Sequence, residues 1–383
     1  MTRGGRRGRP AAGTALPAAL RDKRILIVGG AGGVGKTTVA AALALRAALD
    51  GRRVLVCTID PSRRLATSLG LDRLPDRPRA LSLARLGPRP GGALMAMALD
   101  TRRTFDELVE RHMADEEARR HVLQNRFYKQ VSSAMTGSHE YMATEKLLEL
   151  SGDPRFDLVV LDTPPTRHAL DFLEAPDRLM GFLDTSVLRY FLRPYFVAGR
   201  LTLKVATRTG AMALRLADRF LGLQFLQDLS EFFLAFEGMY DGFKARAAQV
   251  KDLLRGPTAG FVVVAGPAPT AMDEALYFHR RLREGLMPFV SFVVNRVHPD
   301  PGRAGSPKDG GRARPPALDA DLAERLAVVF RDQQRVARGE RRAAAALAAR
   351  TGAPTVVIPE QDADVHDLRG LKAIGEVAVK GKA

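Results

Sequence analysis

The sequence of 383 residues predicts an α/β protein with a doubly wound, mainly parallel sheet of about seven strands and an inserted α-helical subdomain. Short apolar runs alternate with long helical patterns, as a parallel sheet requires. The first apolar run enters a glycine-rich loop that opens into a helix. Two connections, residues 102–150 and 169–255, have helical patterns and are too long for simple crossovers, so we predict that they form the helical subdomain.

The N-terminal segment is basic. Residues 1–24 contain seven Lys or Arg and one acid, Asp22, and no apolar core of signal-peptide length precedes Pro17. We therefore predict a disordered basic tail over residues 1–23 and a single large domain over residues 24–383. The rest of the formal charge of +16 comes largely from Arg scattered beside acids. This distribution favours a solvated surface and argues against nucleic acid as a partner; the alternative is a nucleic-acid or acidic-membrane contact, mostly through the tail.

A phosphate-binding loop follows the first strand. Residues 30–38 have the sequence Gly-Ala-Gly-Gly-Val-Gly-Lys-Thr-Thr, which fits GxxxxGK[ST] in full. Glycines let backbone N–H groups turn toward phosphate oxygens, Lys36 would reach the β and γ phosphates, and the Thr37 hydroxyl would ligate Mg²⁺. The residues predicted to hold the nucleotide here are Gly30, Gly32, Gly33, Val34, Gly35, Lys36, Thr37 and Thr38.

Two aspartates stand at the carboxyl ends of predicted strands whose apolar sequences are typical of buried strands. Asp60 follows the strand over residues 53–59, and Asp162 follows the strand over residues 156–161. Strand ends of a doubly wound sheet are where ligands bind, and an acid after such a strand supports Mg²⁺ in phosphate-loop proteins. Because a strand-end Asp also caps helices, a cap is the alternative for each acid. Asp162 with Thr37 is the predicted Mg²⁺ site.

Four further runs complete the predicted sheet: residues 94–99, 260–265, 289–295 and 354–358. Residues 299–316 are rich in Gly, Pro and Arg and contain no packing residues, so we predict a flexible loop there.

Cysteine usage excludes several classes of site. Cys57 is the single cysteine, so neither an intramolecular disulfide nor a multi-cysteine zinc or iron–sulfur site can form. Absence of disulfides favours a cytoplasmic, reducing compartment. No apolar stretch reaches the roughly 20 residues that cross a bilayer.

Six segments stand out when taken in order: Gly30–Thr38, Thr58–Ser62, Leu94–Asp100, Asp162–His168, Val294–Arg296 and Pro359 with Leu368–Gly370. In this order they resemble the motifs of the arsenite-pump and tail-anchored-protein-targeting ATPases, a group of dimeric phosphate-loop ATPases. The resemblance extends from about residue 24 to residue 375, and its first and fourth motifs are the specific ones.

This resemblance implies an ATP-hydrolysing molecular switch that uses ATP and Mg²⁺. Asp60 is similar to the residue that orients the attacking water, and Asp162 to the residue that senses Mg²⁺ and the γ-phosphate. Asn295 resembles the residue that contacts the adenine edge, and the loop at Pro359 would close over the base. Taken alone, a strand-end Asn is more often a turn former.

Three departures from the family pattern bear on function. The cysteines that hold zinc or metalloid in relatives are missing, so we predict no zinc. One phosphate loop implies a homodimer for any two-site unit. Ala31 stands where relatives carry a lysine, so we predict either slow turnover or compensation by Arg167 or, second, Arg63. The predicted catalytic residues are therefore Asp60, Lys36 and Arg167.

The helical stretch over residues 169–255 contains ten of the 18 Phe residues. It could present a nucleotide-gated groove to a protein client or membrane-protein partner, or form a plain helical core. Two alternative functions stay open beside the ATPase switch. One is a partition or positioning ATPase on nucleic acid or membrane, and the other is a slow nucleotide-binding regulator.

Overall fold

A computed structural model describes residues 15–60, 63–113, 116–125, 138–164, 240–302 and 319–380. Its strands are β1 (Ile25–Gly30), β2 (Arg53–Thr58), β3 (Arg79–Leu81), β4 (Ala93–Ala98), β5 (Leu158–Asp162), β6 (Ala259–Ala265), β7 (Phe289–Val297) and β8 (Thr355–Pro359). They form a sheet of eight strands in the order β3-β4-β2-β5-β1-β6-β7-β8. Neighbours are parallel except β3 and β4. The predicted fold class is confirmed, with one strand more than expected.

Strand register brings the candidate residues to one edge of the sheet. Val28 of β1 and Thr58 of β2 both lie opposite Asp162 of β5. These three strands are buried along nearly their whole length, as their continuous apolar sequences predict. The loops that leave their carboxyl ends therefore start side by side.

The helices are numbered here in chain order among the described residues. They are α1 (Ala15–Asp22), α2 (Lys36–Leu49), α3 (Arg64–Ser68), α4 (Thr101–His112), α5 (Glu116–Gln124), α6 (Ser138–Gly152), α7 (Tyr240–Arg255), α8 (Pro269–Glu284), α9 (Ala320–Thr351) and α10 (Leu368–Lys380).

Helix α2 is alanine-rich and buried on nearly all sides. Helix α10 packs against it through the buried side chains Leu371 and Ile374. A Cβ at Gly375 would lie 2.8 Å from the Ala42 carbonyl oxygen, so this approach of the two helices requires glycine.

Two sequence predictions need correction. Residues 15–22 were expected within a disordered tail, yet they form α1, because Leu16, Ala19 and Leu20 share one face and are buried in the core. Residues 1–14 lie outside the described part. The sheet also gains β3, a three-residue edge strand antiparallel to β4, whose exposed sequence Arg-Ala-Leu carries no strand pattern.

The chain divides into two compact units. One comprises Met1–Ala98, Asp153–Ala169 and Leu254–Ala383 and contains the sheet; the other comprises Leu99–Gly152 and Leu170–Leu253. In the second unit α4 is joined to α6 by the Lys146 ammonium, 2.9 Å from a Glu107 carboxylate oxygen. The Phe-rich stretch from 169 to 239 lies outside the described residues, and of the loop predicted over 299–316 only 299–302 are described.

No helix among the described residues combines the length and the apolarity needed to span a bilayer.

Candidate functional site

The loop between β1 and α2 has the backbone shape of a phosphate cradle. Gly30, Gly33 and Gly35 have φ values of 148°, 76° and 87°. A Cβ at Gly30 would lie 2.0 Å from the Val264 carbonyl oxygen, and one at Gly35 would lie 2.4 Å from Asn295 Nδ2. Positive φ and close approach both exclude larger residues there. The glycine spacing that the sequence analysis singled out therefore has a steric cause at two positions.

Lys36 is buried at the first turn of α2, with 7% of its surface exposed. Its ammonium donates a 2.7 Å hydrogen bond to the carbonyl oxygen of Ala31, so the side chain folds back over its own loop. Burial lowers the pKa of this ammonium, with the nearby charge of Asp162 opposing the shift and that of Arg64 adding to it. An anion entering the loop would relieve this desolvated charge.

Asp162 lies at the end of β5, fully buried. One carboxylate oxygen accepts hydrogen bonds from the hydroxyls of Thr37, at 2.8 Å, and Thr58, at 3.2 Å. The other oxygen, Oδ1, is buried and has no hydrogen-bond partner in the described part of the chain. Burial raises the pKa of Asp162 to about 6, although both threonines and Lys36 oppose the shift.

This donor set fits Mg²⁺. Hard divalent cations take carboxylate and hydroxyl oxygens, and Mg²⁺ usually binds through one or two protein ligands plus water and phosphate. The unpartnered oxygen of Asp162 and the hydroxyl of Thr37 offer those two ligands. Within the described ranges, no three His, Cys, Asp or Glu side chains are grouped as a metal site of protein ligands alone would need.

Asp60 follows β2 and faces the same cavity. Its backbone N–H donates to the Thr58 hydroxyl at 3.1 Å, which ties the start of this segment to Asp162 through a shared threonine. A guanidinium nitrogen of Arg64 lies 4.0 Å from an Asp60 carboxylate oxygen. Asp60 and Asp162 are thus held by neighbouring strand ends, and residues 61 and 62 lie outside the described part.

Two arginines of this segment, Arg63 and Arg64, line the cavity. Sequence analysis named Arg63 and Arg167 as replacement cations. Arg167 lies outside the described residues. Arg64, which the sequence predictions missed, lies 4.0 Å from an Asp60 carboxylate oxygen, and its charge adds to the lowering of the pKa of Lys36. Its spacing of four residues from Asp60 is the signal that could have identified it.

Two residues at the end of β7, Asn295 and Arg296, contact carbonyl oxygens of the phosphate loop. Asn295 Nδ2 donates to the Val34 carbonyl oxygen at 2.9 Å, and an Arg296 guanidinium nitrogen donates to the Gly33 carbonyl oxygen at 3.2 Å. Arg296 has a φ of 60°, where the pairing of β7 with β8 shifts register. This conformation is uncommon for arginine and turns its side chain toward the loop.

The segment after β8 completes the cavity with Pro359, Glu360 and Gln361. Its position is held by two contacts with the segment after β7. The Glu360 backbone N–H donates to the Val297 carbonyl oxygen at 2.9 Å. The His298 ring lies between Glu340 of α9, at 2.9 Å, and Glu360, at 3.4 Å.

All these segments enclose one cavity of about 830 Å³ at the carboxyl edge of the sheet. Of the residues predicted from sequence, the cavity is lined by Gly33, Gly35, Lys36, Thr37, Thr38, Asp60, Asn295 and Pro359. Asp162 lies beneath it and contacts Thr37. A site of this volume suits a ligand of nucleotide size.

Comparison with known proteins gives a consistent result. The family model described as "Anion-transporting ATPase" matches residues 23–308. The chain is 26% identical to "ATPase GET3C" of Arabidopsis thaliana over 297 residues, covering 73% of this chain and 68% of that protein. It is 26% identical to "ATPase ASNA1 homolog 1" of Paramecium tetraurelia over 286 residues, covering 71% and 74%. It is 30% identical to "ATPase get3" of Schizosaccharomyces pombe over 152 residues, covering 39% and 43%.

Proposed function

The chain belongs to the anion-transporting ATPase family, and from this premise we propose that it binds Mg²⁺ and ATP in the carboxyl-edge cavity and hydrolyses the β–γ anhydride. One observation carries the proposal. Asp162 is buried beside the first turn of α2, one of its oxygens accepts from Thr37, and the other has no hydrogen-bond partner among the described residues. A buried carboxylate in this state is costly for the fold, and a nucleotide-bound cation would compensate it.

The phosphates would lie over the loop, where backbone N–H groups and the N-terminus of α2 favour negative charge. Lys36 would exchange its bond to the Ala31 carbonyl for the β and γ phosphates. Thr37 and Asp162 would hold Mg²⁺, which when bound neutralises charge that develops on the phosphates.

Asp60 would orient the attacking water. Its carboxylate lines the cavity on the side opposite Asn295 in the sheet order, and its backbone is linked to Thr58. Arg64 would supply the second cation near the transferred phosphoryl group. Its side chain lines the cavity, and its positive charge adds to the lowering of the pKa of Lys36. A guanidinium can donate two hydrogen bonds to one phosphate.

The base would lie between Asn295 and the segment at Pro359. The Nδ2 atom of Asn295 is used by Val34. Its carbonyl oxygen would accept from the exocyclic amine of adenine, an arrangement that disfavours guanine, which carries an oxygen at that position.

We further propose a homodimeric, cytoplasmic switch in which nucleotide state changes the segments after Asp60 and Asp162 and thereby a partner-binding surface of the helical unit. The organisation into a sheet-bearing domain with helical insertions at 102–150 and 169–255 is part of this proposal. The helical unit is what favours this function over a partition ATPase, because a positioning protein on nucleic acid needs no such addition.

Asp60→Asn provides the direct test of hydrolysis. We expect phosphate release at saturating ATP to fall by on the order of 100-fold or more, since a positioned base or water-orienting residue contributes 10²–10⁴-fold. ATP affinity, measured by calorimetry, should stay within about threefold. Unchanged turnover would exclude Asp60 from the chemistry. Capture of partners by Asp60→Asn protein in ADP and in ATP then tests the switch.

A further inference from the structure

The first half of α9 is exposed along nearly its whole length in the described part of the chain. Helix α9 has 32 residues, and its buried ones, Ala337, Ala344 and Leu347, all lie in the second half. Every residue from Ala320 to Gln333 is exposed except the partly buried Ala323. The segment from 320 to 336 is about 25 Å long at 1.5 Å per residue.

In proteins, most of the stability of a helix comes from packing of an amphipathic face rather than from intrinsic propensity. This segment contains Val328, Val329, Phe330 and Val336, residue types with lower helix propensity than Leu or Ala. Its helical state therefore needs stabilisation from an apolar contact. Large apolar side chains that are more than two-fifths exposed are concentrated here: Leu322, Leu326, Val328, Val329, Phe330 and Val336.

Four of these side chains form a stripe with coiled-coil spacing. Leu322, Leu326, Val329 and Val336 fall on alternate steps of four and three residues, with Gln333 at the remaining step. A repeat of this kind places one apolar seam along a helix, and a single polar residue in the seam sets register. We call residues 322, 326, 329, 333 and 336 the α9 stripe.

The charge distribution along α9 favours an antiparallel pair of two such helices. Residues 319–325 carry three acids and one arginine, whereas residues 331–342 carry five arginines and two acids. Two copies running antiparallel place the acidic end of each beside the basic end of the other. Two parallel copies place like charges together, which costs free energy.

We propose that the α9 stripe pairs with the α9 stripe of a second copy of this chain in an antiparallel helical contact. This inference rests on the homodimer proposed above and names its contact surface. A two-fold axis through such a contact makes it closed, so it ends at the dimer.

Adjacent valines provide a matched test. Val329 belongs to the stripe and is 53% exposed, whereas Val328 is rotated about 100° from it and is 45% exposed. We expect Val329→Asp to raise the dimer dissociation constant, measured by sedimentation, by on the order of 100-fold, because a charge is then buried in the seam. Val328→Asp should change it by less than about threefold, since that position remains in water.

The same preparations are assayed for ATP binding, which separates this inference from the proposed function. ATP affinity unchanged in both variants shows that neither has unfolded. A dimer that persists in Val329→Asp overturns the stripe contact and leaves the homodimer standing. A wild-type protein that is monomeric at every concentration, with and without ATP, overturns both the contact and the homodimer while the nucleotide site stands.

The relative direction of the two α9 helices is tested by cross-linking through introduced cysteines. The native Cys57 does not compete for the cross-linker because it is buried. Burial also raises the pKa of its thiol to about 12. Arg325→Cys and Asp332→Cys lie on the same flank of the stripe, one at its acidic and one at its basic end. A short bismaleimide should join the two variants to each other in a mixture more than it joins either to itself. Predominant self-linking of each variant overturns the antiparallel arrangement.

Discussion

The two edges of the sheet each hold a partly desolvated lysine beside a cavity, and the two lysines differ in the charged groups around them. Lys36 donates to the Ala31 carbonyl at the carboxyl edge, and Lys23 donates to the Pro257 carbonyl at 2.6 Å at the amino edge. Burial lowers the pKa of both ammonium groups. The amino-edge cavity, of about 670 Å³, is lined largely by alanine, proline and other apolar residues around Lys23 and Asp22.

Charged groups at the carboxyl edge converge from several strands. Asp60 and Asp162 both lie near enough to Lys36 to oppose the lowering of its pKa, and Arg64 lies near enough to add to it. For Lys23 a single acid, Asp22, opposes the burial effect. A desolvated lysine alone therefore does not define a ligand-binding site. Such a site is marked by opposite charges that converge around a buried acceptor with no hydrogen-bond partner among the described residues.

Substitution of the two lysines should give the largest difference. We expect Lys36→Met to lower ATP affinity by on the order of 10³-fold, because truncating one partner of a buried charge pair costs roughly 2–5 kcal/mol. Lys23→Met is the matched control and should leave ATP affinity within about twofold. Calorimetric titration of both variants measures this, and equal loss in the two would remove the contrast between the edges.

Arg64 should show the next effect, on turnover. We expect Arg64→Ala to reduce the rate at saturating ATP by on the order of 100-fold, less than the largest effects of arginine fingers because this side chain is largely exposed. Arg64→Lys should recover part of the rate, since the charge returns without the planar fork. Arg73→Ala, at an exposed arginine outside the cavity, is the control.

Arg63→Ala and Arg167→Ala belong in the same series of turnover measurements. Loss of turnover in Arg167→Ala with Arg64→Ala unaffected would transfer the role to Arg167. Wild-type rates in all three variants would favour slow hydrolysis without a compensating cation.

The pH dependence of the site follows from Asp162, whose pKa is raised to about 6. Because Mg²⁺ binds the ionised carboxylate, affinity for Mg²⁺ with ATP should be flat above about pH 6 and fall by roughly tenfold per pH unit below it. Calorimetric titrations from pH 5 to pH 8 measure this. A flat profile across pH 6 would contradict the assignment.

The same group has an opposite effect on the stability of the nucleotide-free protein. Its folded pKa exceeds the unfolded value of 3.8, so stability is lost as pH rises from about 4 through 6. Asp162→Asn should therefore be more stable than wild type at pH 7.5, by up to about 3 kcal/mol, and nearly equal to it at pH 4. Thermal unfolding at the two pH values checks the sign.

Cys57 should give the smallest functional effect. With its pKa raised to about 12 by burial in β2, its alkylation in the native protein should be slower than in the unfolded chain by on the order of 10³-fold, because the reactive thiolate is rare.

Arsenite should not stimulate ATP turnover, since one thiol cannot form a soft-metal site. Stimulation that persists in Cys57→Ser would identify a different ligand set.

The strand ends and their motifs are the part of the site that sequence reasoning reached. Asp60 and Asp162 follow or end continuous apolar runs, and Lys36 follows such a run through the glycine loop; parallel pairing brings such strand ends together. The hydrogen bond from Asn295 to Val34 joins residues that are 261 positions apart, so no local sequence pattern predicts it. Likewise Arg63 and Arg64 are adjacent in sequence and both line the cavity, and only the structure shows that Arg64 lies 4.0 Å from Asp60. Helix α1 was missed because its arginine-rich surroundings concealed a short apolar face.

The packing of α10 on α2 has a consequence for biosynthesis. Lys36 and Thr37 leave the ribosome early, yet α2 is covered by Leu371 and Ile374, and β1 lies between β5 and β6. The nascent polypeptide thus carries the phosphate loop long before the surfaces that hold it exist. Since α2 cannot bury its alanine faces until α10 has been translated, nucleotide capture should follow translation of α10, and ribosome-bound intermediates that lack α10 should hold no ATP.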